Sequence, residues 1–402
     1  MGADFKILLF TSPDSVKDEA ALLNLYLENG LDYLHIRKPQ WSKDRVGDLL
    51  SQIPACFHHK IKIHDHFSLT DRFDVGVCVN SRNPVAPDRI SRVSTGFHSI
   101  SETSNADKYD YATISPVADS ISKTGYGAQS SLLDAPKLTG AGNLIALGGV
   151  KVSLLGEMYE RGFAGAAILG DVWNNGNKAA LLNVLRRRNM RLQFITNGET
   201  VEDTVSQSLA VLAGGCRWIQ IRMKDAPVEA ITEVISEVAP KCHQAGCNIL
   251  VDDHVEITAK GIVDGVHLGK KDMNPVEARK MLNSTSIIGF TANSTEDVRN
   301  TLALPVDYLG VGPLRQTTTK KNAASPLGID TYRSLTPGSD FNKPYVAIGG
   351  VTVGDIDSLM TAGAMGVAVS AAVIKASSPV EETQKFMKII NQYNNYLSWK
   401  IY

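Results

Sequence analysis

This sequence predicts an α/β protein of two tandem (β/α)8 TIM barrels, on three observations. Its 402 residues correspond to two or three domains at roughly 150 residues each. The chain also contains its own copy, with the matches in one order: KILLFT at 6–11 answers RLQFIT at 191–196, Leu34 to Arg37 answers Ile219 to Arg222, and His64-Asp65-His66 answers Asp252-Asp253-His254. Further on, Gly96-Phe97 answers Gly289-Phe290, Lys123 answers Lys320, and Gly148-Gly149 answers Gly349-Gly350. The offset only grows, from 185 between Lys6 and Arg191 to 201 between Gly148 and Gly349, as loop insertions between collinear copies produce. Third, eight short β-rich runs in each copy alternate with longer amphipathic stretches, the pattern of a compact parallel barrel clothed in helices. A doubly wound open sheet is the alternative.

In the second copy the strand-like runs are 193–196, 218–221, 248–251, 265–268, 287–290, 308–311, 345–348 and 366–369. Helical patterns separate them. One covers 205–213 and stops at Gly214-Gly215; another covers 275–282 and opens with Pro275 at a first helical position. The domains are therefore expected at 1–188 and 189–402, joined through 181–191, where Arg186-Arg187-Arg188 reads as cations complementing a helix C-terminus.

Composition excludes several classes. With 43% hydrophobic and 21% charged residues the chain is not intrinsically disordered. A balance of 41 Lys plus Arg against 42 Asp plus Glu, with no basic tail, argues against nucleic acid as a partner. No apolar run approaches the ~18 residues of a membrane span and the first ten residues turn polar too soon for a signal peptide, so neither a membrane nor export is expected and a cytoplasmic location is. The five cysteines are odd in number and form no CxxC pair, which indicates neither a disulfide framework nor a zinc ribbon.

The C-terminal strand ends of such a barrel carry its chemistry. Gln220, Arg222 and Lys224 lie two apart, which on a strand places all three on one face toward the mouth. Three polar donors in series are hard to satisfy there without a ligand. Asp252-Asp253 follow the third strand and Asp272 follows the fourth; carboxylates among cations suit Mg2+ that keeps some waters and meets substrate phosphates. The segment 317–325, with Thr317, Thr318, Thr319 and Lys320, reads as a lid over phosphoryl groups. Gly350 with Gly349, together with Val369 and Ser370 at the start of a helix, forms a phosphate cup.

These motifs together, QxRxK at Gln220-Arg222-Lys224, the acidic pair, HLGxxD, Thr291 after an IG dipeptide, GP with TxTKK, and IGG, resemble thiamine-phosphate synthase over the whole second copy. The resemblance implies coupling of 4-amino-2-methylpyrimidin-5-ylmethyl diphosphate to a thiazole monophosphate with release of diphosphate. It implies that Gln220, Arg222, Lys224, Thr291 and Lys320 hold the pyrimidine diphosphate, with Arg222 and Lys320 assisting departure of the leaving group. Asp253 and Asp272 would hold Mg2+, and Thr317, Thr319, Gly350, Val369 and Ser370 the thiazole phosphate. The family has Asn where Asp252 stands, which leaves this extra carboxylate open between metal contact and a supporting role.

The first copy keeps Arg37, Lys38, Asp65 and Gly148-Gly149, so a phosphate cup is expected there with Arg37, Lys38, Gly148 and Gly149 as binding residues. Asn83 stands where Asp272 does, a poor exchange for a Mg2+ carboxylate. His98 answers Thr291 in the sequence match, and six of the nine histidines lie in this half, which favours proton transfer near neutral pH. His64 and His66, on one strand face, lack a third metal ligand at a telling spacing. Through His98-Ser99 this half resembles thiazole tautomerases related to thiamine-phosphate synthase, which implies aromatisation of a thiazole phosphate tautomer with His98 as acid or base. The expectation is a bifunctional enzyme acting on small-molecule substrates. A single active synthase barrel beside a degenerate one, and a non-catalytic sensor of thiamine or thiazole phosphates, remain as alternatives, and a homo-oligomer stays open.

Overall fold

The computed structural model describes residues 5–119, 130–316, 324–335, 341 and 343–394. Sixteen strands close into two eight-stranded parallel barrels. The first is built from β1 (Lys6–Phe10), β2 (Tyr33–Ile36), β3 (Ile61–Ile63), β4 (Gly76–Val79), β5 (Val93–Phe97), β6 (Tyr111–Ile114), β7 (Leu144–Ala146) and β8 (Gly165–Ile168). The second is built from β9 (Leu192–Ile195), β10 (Trp218–Ile221), β11 (Asn248–Asp252), β12 (Gly265–Leu268), β13 (Ile287–Ala292), β14 (Tyr308–Val311), β15 (Tyr345–Ile348) and β16 (Gly366–Val369). Each ring closes by pairing its first strand with its last, Leu8 with Ala167 and Phe194 with Val369. Most strands are buried along their entire length, as for Trp218–Ile221 and Gly366–Val369, because helices cover one face and the barrel interior the other. The open-sheet alternative is excluded.

The chain divides into two compact units between Leu185 and Arg186, inside the helix Lys178–Asn189. In the second unit that helix end is pinned: Arg186 donates to the Thr285 carbonyl and lies 3.8 Å from Asp264. Arg186 and Arg188 are buried, so the basic run does more than face a helix terminus in solvent. The helix Val201–Ala213 starts on Thr200, whose side chain accepts from Asp203 N, and its expected stop at Gly214 holds. None of the described helices is long and apolar enough to cross a membrane.

Candidate active site

At the mouth of the second barrel, Asp252 ends β11 and Asp253 follows in the left-handed region at φ 64°. Gln220, buried in β10, donates through Nε2 to Asp252 Oδ1. Arg222, one residue past β10, brings Nε within 3.1 Å of Asp252 Oδ2, and its own N–H is held 2.8 Å from Thr196 Oγ1. Asp252 thus orients Gln220 and Arg222. Asp272 Oδ2 accepts from Gly269 N at 2.6 Å, and its carboxyl group also meets that of Asp253. The Asp253 carboxyl is pushed up to about 7 by partial desolvation, then by the neighbouring Asp252 and Asp272. Lys224 behaves differently from the expectation for a strand residue. It stands on an exposed turn beyond β10, 3.7 Å from Asp225 Oδ2, because the strand ends at Ile221 and the period of two no longer governs it.

Beneath the mouth runs a hydrogen-bond chain that sequence reading missed in part. Gln193 donates through Nε2 to Gln220 Oε1 and to Tyr308 Oη, both at 2.9 Å. Tyr308 Oη lies 2.8 Å from His267 Nδ1, and His267 Nε2 lies 3.0 Å from Thr291 Oγ1. Thr291 therefore reaches Gln220 through three buried polar residues, each a strand position facing the barrel interior. Such a satisfied network fixes the rotamers above it.

The phosphate cup has the expected backbone. Gly349 and Gly350 adopt φ 85° and 74°, and a Cβ on Gly349 would stand 2.5 Å from Pro313 Cβ, so no other residue fits the pair without strain. Val369 ends β16. Ser370 precedes the short helix Ala371–Ile374, and its buried Oγ has no hydrogen-bond partner among the described residues. A buried hydroxyl left in that state points to a ligand group. Thr317, Thr318, Thr319 and Lys320, with the rest of 317–323, lie outside the described residues.

The first barrel keeps the frame and changes its contents. Gly148 and Gly149 repeat the φ values at 85° and 72°, but Leu169, with the backbone angles of Ser370, replaces the hydroxyl. The cup survives as backbone only. Lys38 is not at the mouth: its Nζ is buried between both Glu19 carboxylate oxygens and the Asp14 carbonyl, all at 2.8 Å. Lys38 lies past the end of β2 at Ile36, and its ion pair with Glu19 turns it to the helix layer, while Arg37, half-buried, repeats the Arg222 contact with an N–H 3.0 Å from Thr11 Oγ1. Asp65 accepts from Asn83 Nδ2 at 3.1 Å and pairs with Arg82 at 3.2 Å, so the carboxylate equivalent to Asp253 is already engaged by an amide and a guanidinium.

Strand register also moves His98. Tyr111 pairs with Ser94 in the first barrel and Tyr308 with Gly289 in the second, which sets Gly96 opposite Thr291 and His98 opposite Asn293. The local contacts agree. His98 Nδ1 lies 3.2 Å from the Ser115 carbonyl and its N–H donates to Glu102; Asn293 Nδ2 donates to the Gly312 carbonyl and its N–H to Asp297. Both carbonyls precede a proline in a cis bond. The Gly-Phe match in the sequence was a coincidence two residues out of register. His98 itself is exposed at the end of β5, while Ser99 caps the following helical segment in a box with Glu102 and does not partner His98.

A sequence profile of the thiamine monophosphate synthase family matches residues 192–373, which carry β9 to β16 and the acidic cluster. The chain is 44% identical over 203 residues to the thiamine-phosphate synthase of Bacteroides fragilis, covering 50% of this chain and 100% of that one. It is 34% identical over 194 residues to the thiamine-phosphate synthase of Flavobacterium psychrophilum, covering 48% and 94%. Among solved structures, the thiamine phosphate pyrophosphorylase of Pyrococcus furiosus aligns at 28% identity over 51% of this chain and 98% of that one, with a TM-score of 0.47. Through its second unit, the chain belongs to the thiamine-phosphate synthase family.

Proposed function

We propose that the second barrel joins 4-amino-2-methylpyrimidin-5-ylmethyl diphosphate to a thiazole monophosphate, giving thiamine phosphate and diphosphate. The carrying observation is the contact of Asp253 with Asp272 beside the Arg222–Asp252 pair. Neighbouring carboxylates favour a proton or a cation between them, and oxygen donors from adjacent strands suit Mg2+, which keeps some of its waters. That ion would supply neutralisation of the diphosphate as its charge develops. Arg222, held by Asp252, lies where it adds to that neutralisation, and Gln220 and Thr291, locked by the chain below, are set to orient the pyrimidine. Lys224 and Lys320 would complete the cationic wall, and Thr317, Thr318 and Thr319 the lid. The free Ser370 hydroxyl, with Gly350 and Val369 N–H groups, would take the thiazole phosphate. The test follows product and diphosphate with both substrates and Mg2+: Asp272→Asn should lower turnover by ~10²-fold or more. Turnover unchanged across a Mg2+ titration would remove Asp272 from the reaction.

For the first barrel we infer aromatisation of the thiazole phosphate tautomer. Support comes from the exposed His98, whose Nδ1 is engaged by the Ser115 carbonyl so that Nε2 is left open, and from an Asp65 already paired with Arg82 and hydrogen-bonded by Asn83, which disfavours diphosphate chemistry there. Arg37 and the Gly148-Gly149 backbone would bind the phosphate. His98→Asn tests this cleanly, since Asn293 makes the same carbonyl contact in the second barrel; aromatisation should slow by ~10² to 10⁴ with ligand binding retained. A first barrel that binds the ligand without accelerating the reaction would be the degenerate partner of one active synthase. Absence of diphosphate release from the whole chain would leave the sensor reading.

A further inference from the structure

The interior of the first barrel carries a donor set that has no counterpart among the described residues of its sister. His35 in β2, His64 just past β3 and Cys78 in β4 are all buried, and one ligand atom from each lies within 4.8 Å of the other two. By strand register they stand at the positions of Gln220, Asp252 and His267. Amide, carboxylate and imidazole have become imidazole, imidazole and thiol on three adjacent strands. That exchange moves the site from oxygen toward nitrogen and sulfur donors, the preference of a borderline-soft metal rather than Mg2+.

We propose that this cluster is a metal site for Zn2+ or a cation of its class, ligated by His35 Nδ1, His64 Nε2 and the Cys78 thiolate. The two nitrogens already face each other at 2.9 Å. A tetrahedral ion with Zn–N of about 2.0 Å and Zn–S of about 2.3 Å spaces these donors by roughly 3.3 to 3.5 Å, so side-chain shifts of about an ångström complete the site. The outer contacts are of the kind that orient a ligating imidazole. His35 Nε2 lies 2.6 Å from Tyr111 Oη, and the Phe10 ring stacks on the imidazole with centroids 4.2 Å apart. Lys62, the nearby buried cation, is neutralised by Asp110 at 2.5 Å. Three protein ligands leave a fourth position for water or a ligand atom. On binding, the thiol proton of Cys78 goes to solvent and each imidazole keeps its one proton on the nitrogen facing away from the ion, His35 Nε2 and His64 Nδ1, so that one proton is released per ion. The site is independent of the reaction assigned to either barrel.

The experiment uses the full chain, stripped with chelator and titrated with Co2+ in excess Mg2+, which occupies carboxylate sites. Thiolate-to-cobalt charge-transfer absorption is the readout. The expected result is one such Co2+ per chain, displaced by Zn2+, with the band lost in Cys78→Ser and retained in Cys56→Ser, which alters the exposed cysteine. Tyr111→Phe keeps all three ligands and should weaken binding by ~10- to 100-fold. A wild-type protein with no thiolate band at saturating Co2+, or a band that survives Cys78→Ser, overturns the proposal and leaves a metal-free His35–His64 hydrogen bond.

Discussion

The Asp253 carboxyl is pushed up to about 7, so a cation bound there, as proposed above, would compete with a proton. Because its pKa is raised from 3.8 to about 7, the folded protein keeps a proton that the unfolded chain has lost in that interval. The stability this proton confers is complete below about 4 and is lost as pH rises through about 7. Chelator-treated protein should therefore melt at progressively lower temperature across that window, and Mg2+ should restore it most strongly at the alkaline end. Asp253→Asn should flatten the difference and abolish the Mg2+ shift; a wild-type and variant pair with the same slope would separate Asp253 from the cation site. Ser370 offers a second residue-scale test. Its Oγ makes no hydrogen bond among the described residues, so Ser370→Ala should leave the melting temperature unchanged or slightly higher. It should weaken the thiazole phosphate by about 1.5 to 3 kcal/mol, the scale of one hydrogen bond to a charged group, read as a rise in its KM.

At the scale of elements, apolar runs made the strands of the second barrel legible: β10, β12, β14, β15 and β16 have the bounds those runs predicted. The candidate residues read from the sequence, Gln220, Arg222, Asp252, Asp253 and Thr291, lie at or next to strand ends, and Asp272 lies in the turn after β12. Gln193, His267 and Tyr308 escaped because a buried polar residue inside a strand alternates like any other; their signal was inward parity on β9, β12 and β14. Register was not legible at all for β5, since pairing is set by neighbouring strands and a dipeptide match carries no information about them. The chain through Tyr308 predicts a cost. Tyr308→Phe leaves Gln193 Nε2 and His267 Nδ1 short of a buried partner, and should destabilise the second barrel by about 1 to 3 kcal/mol in denaturant titration.

For the molecule as a whole, the division inside Lys178–Asn189 bears on how it can be cut. A fragment beginning at 189 loses Arg186, which is buried against Asp264 and the Thr285 carbonyl, whereas one beginning at 178 keeps the helix. Both should form thiamine phosphate with Mg2+ if the second barrel suffices, but the shorter should be less stable by about 1 to 3 kcal/mol, as expected when one partner of a buried polar pair is removed. A longer fragment that folds yet is active only when the first barrel is added back would show that the first barrel contributes to coupling.

The matched frames around His98 and Asn293 have a practical consequence. Each offers an N–H to a carboxylate four residues on and a side chain to the carbonyl before a proline, so each residue is a tested solution to the other's backbone. Reciprocal exchange, His98→Asn with Asn293→His, becomes an experiment in which one molecule supplies its own reference. Strain common to both frames cancels, and what remains is the difference the two chambers make to one side chain.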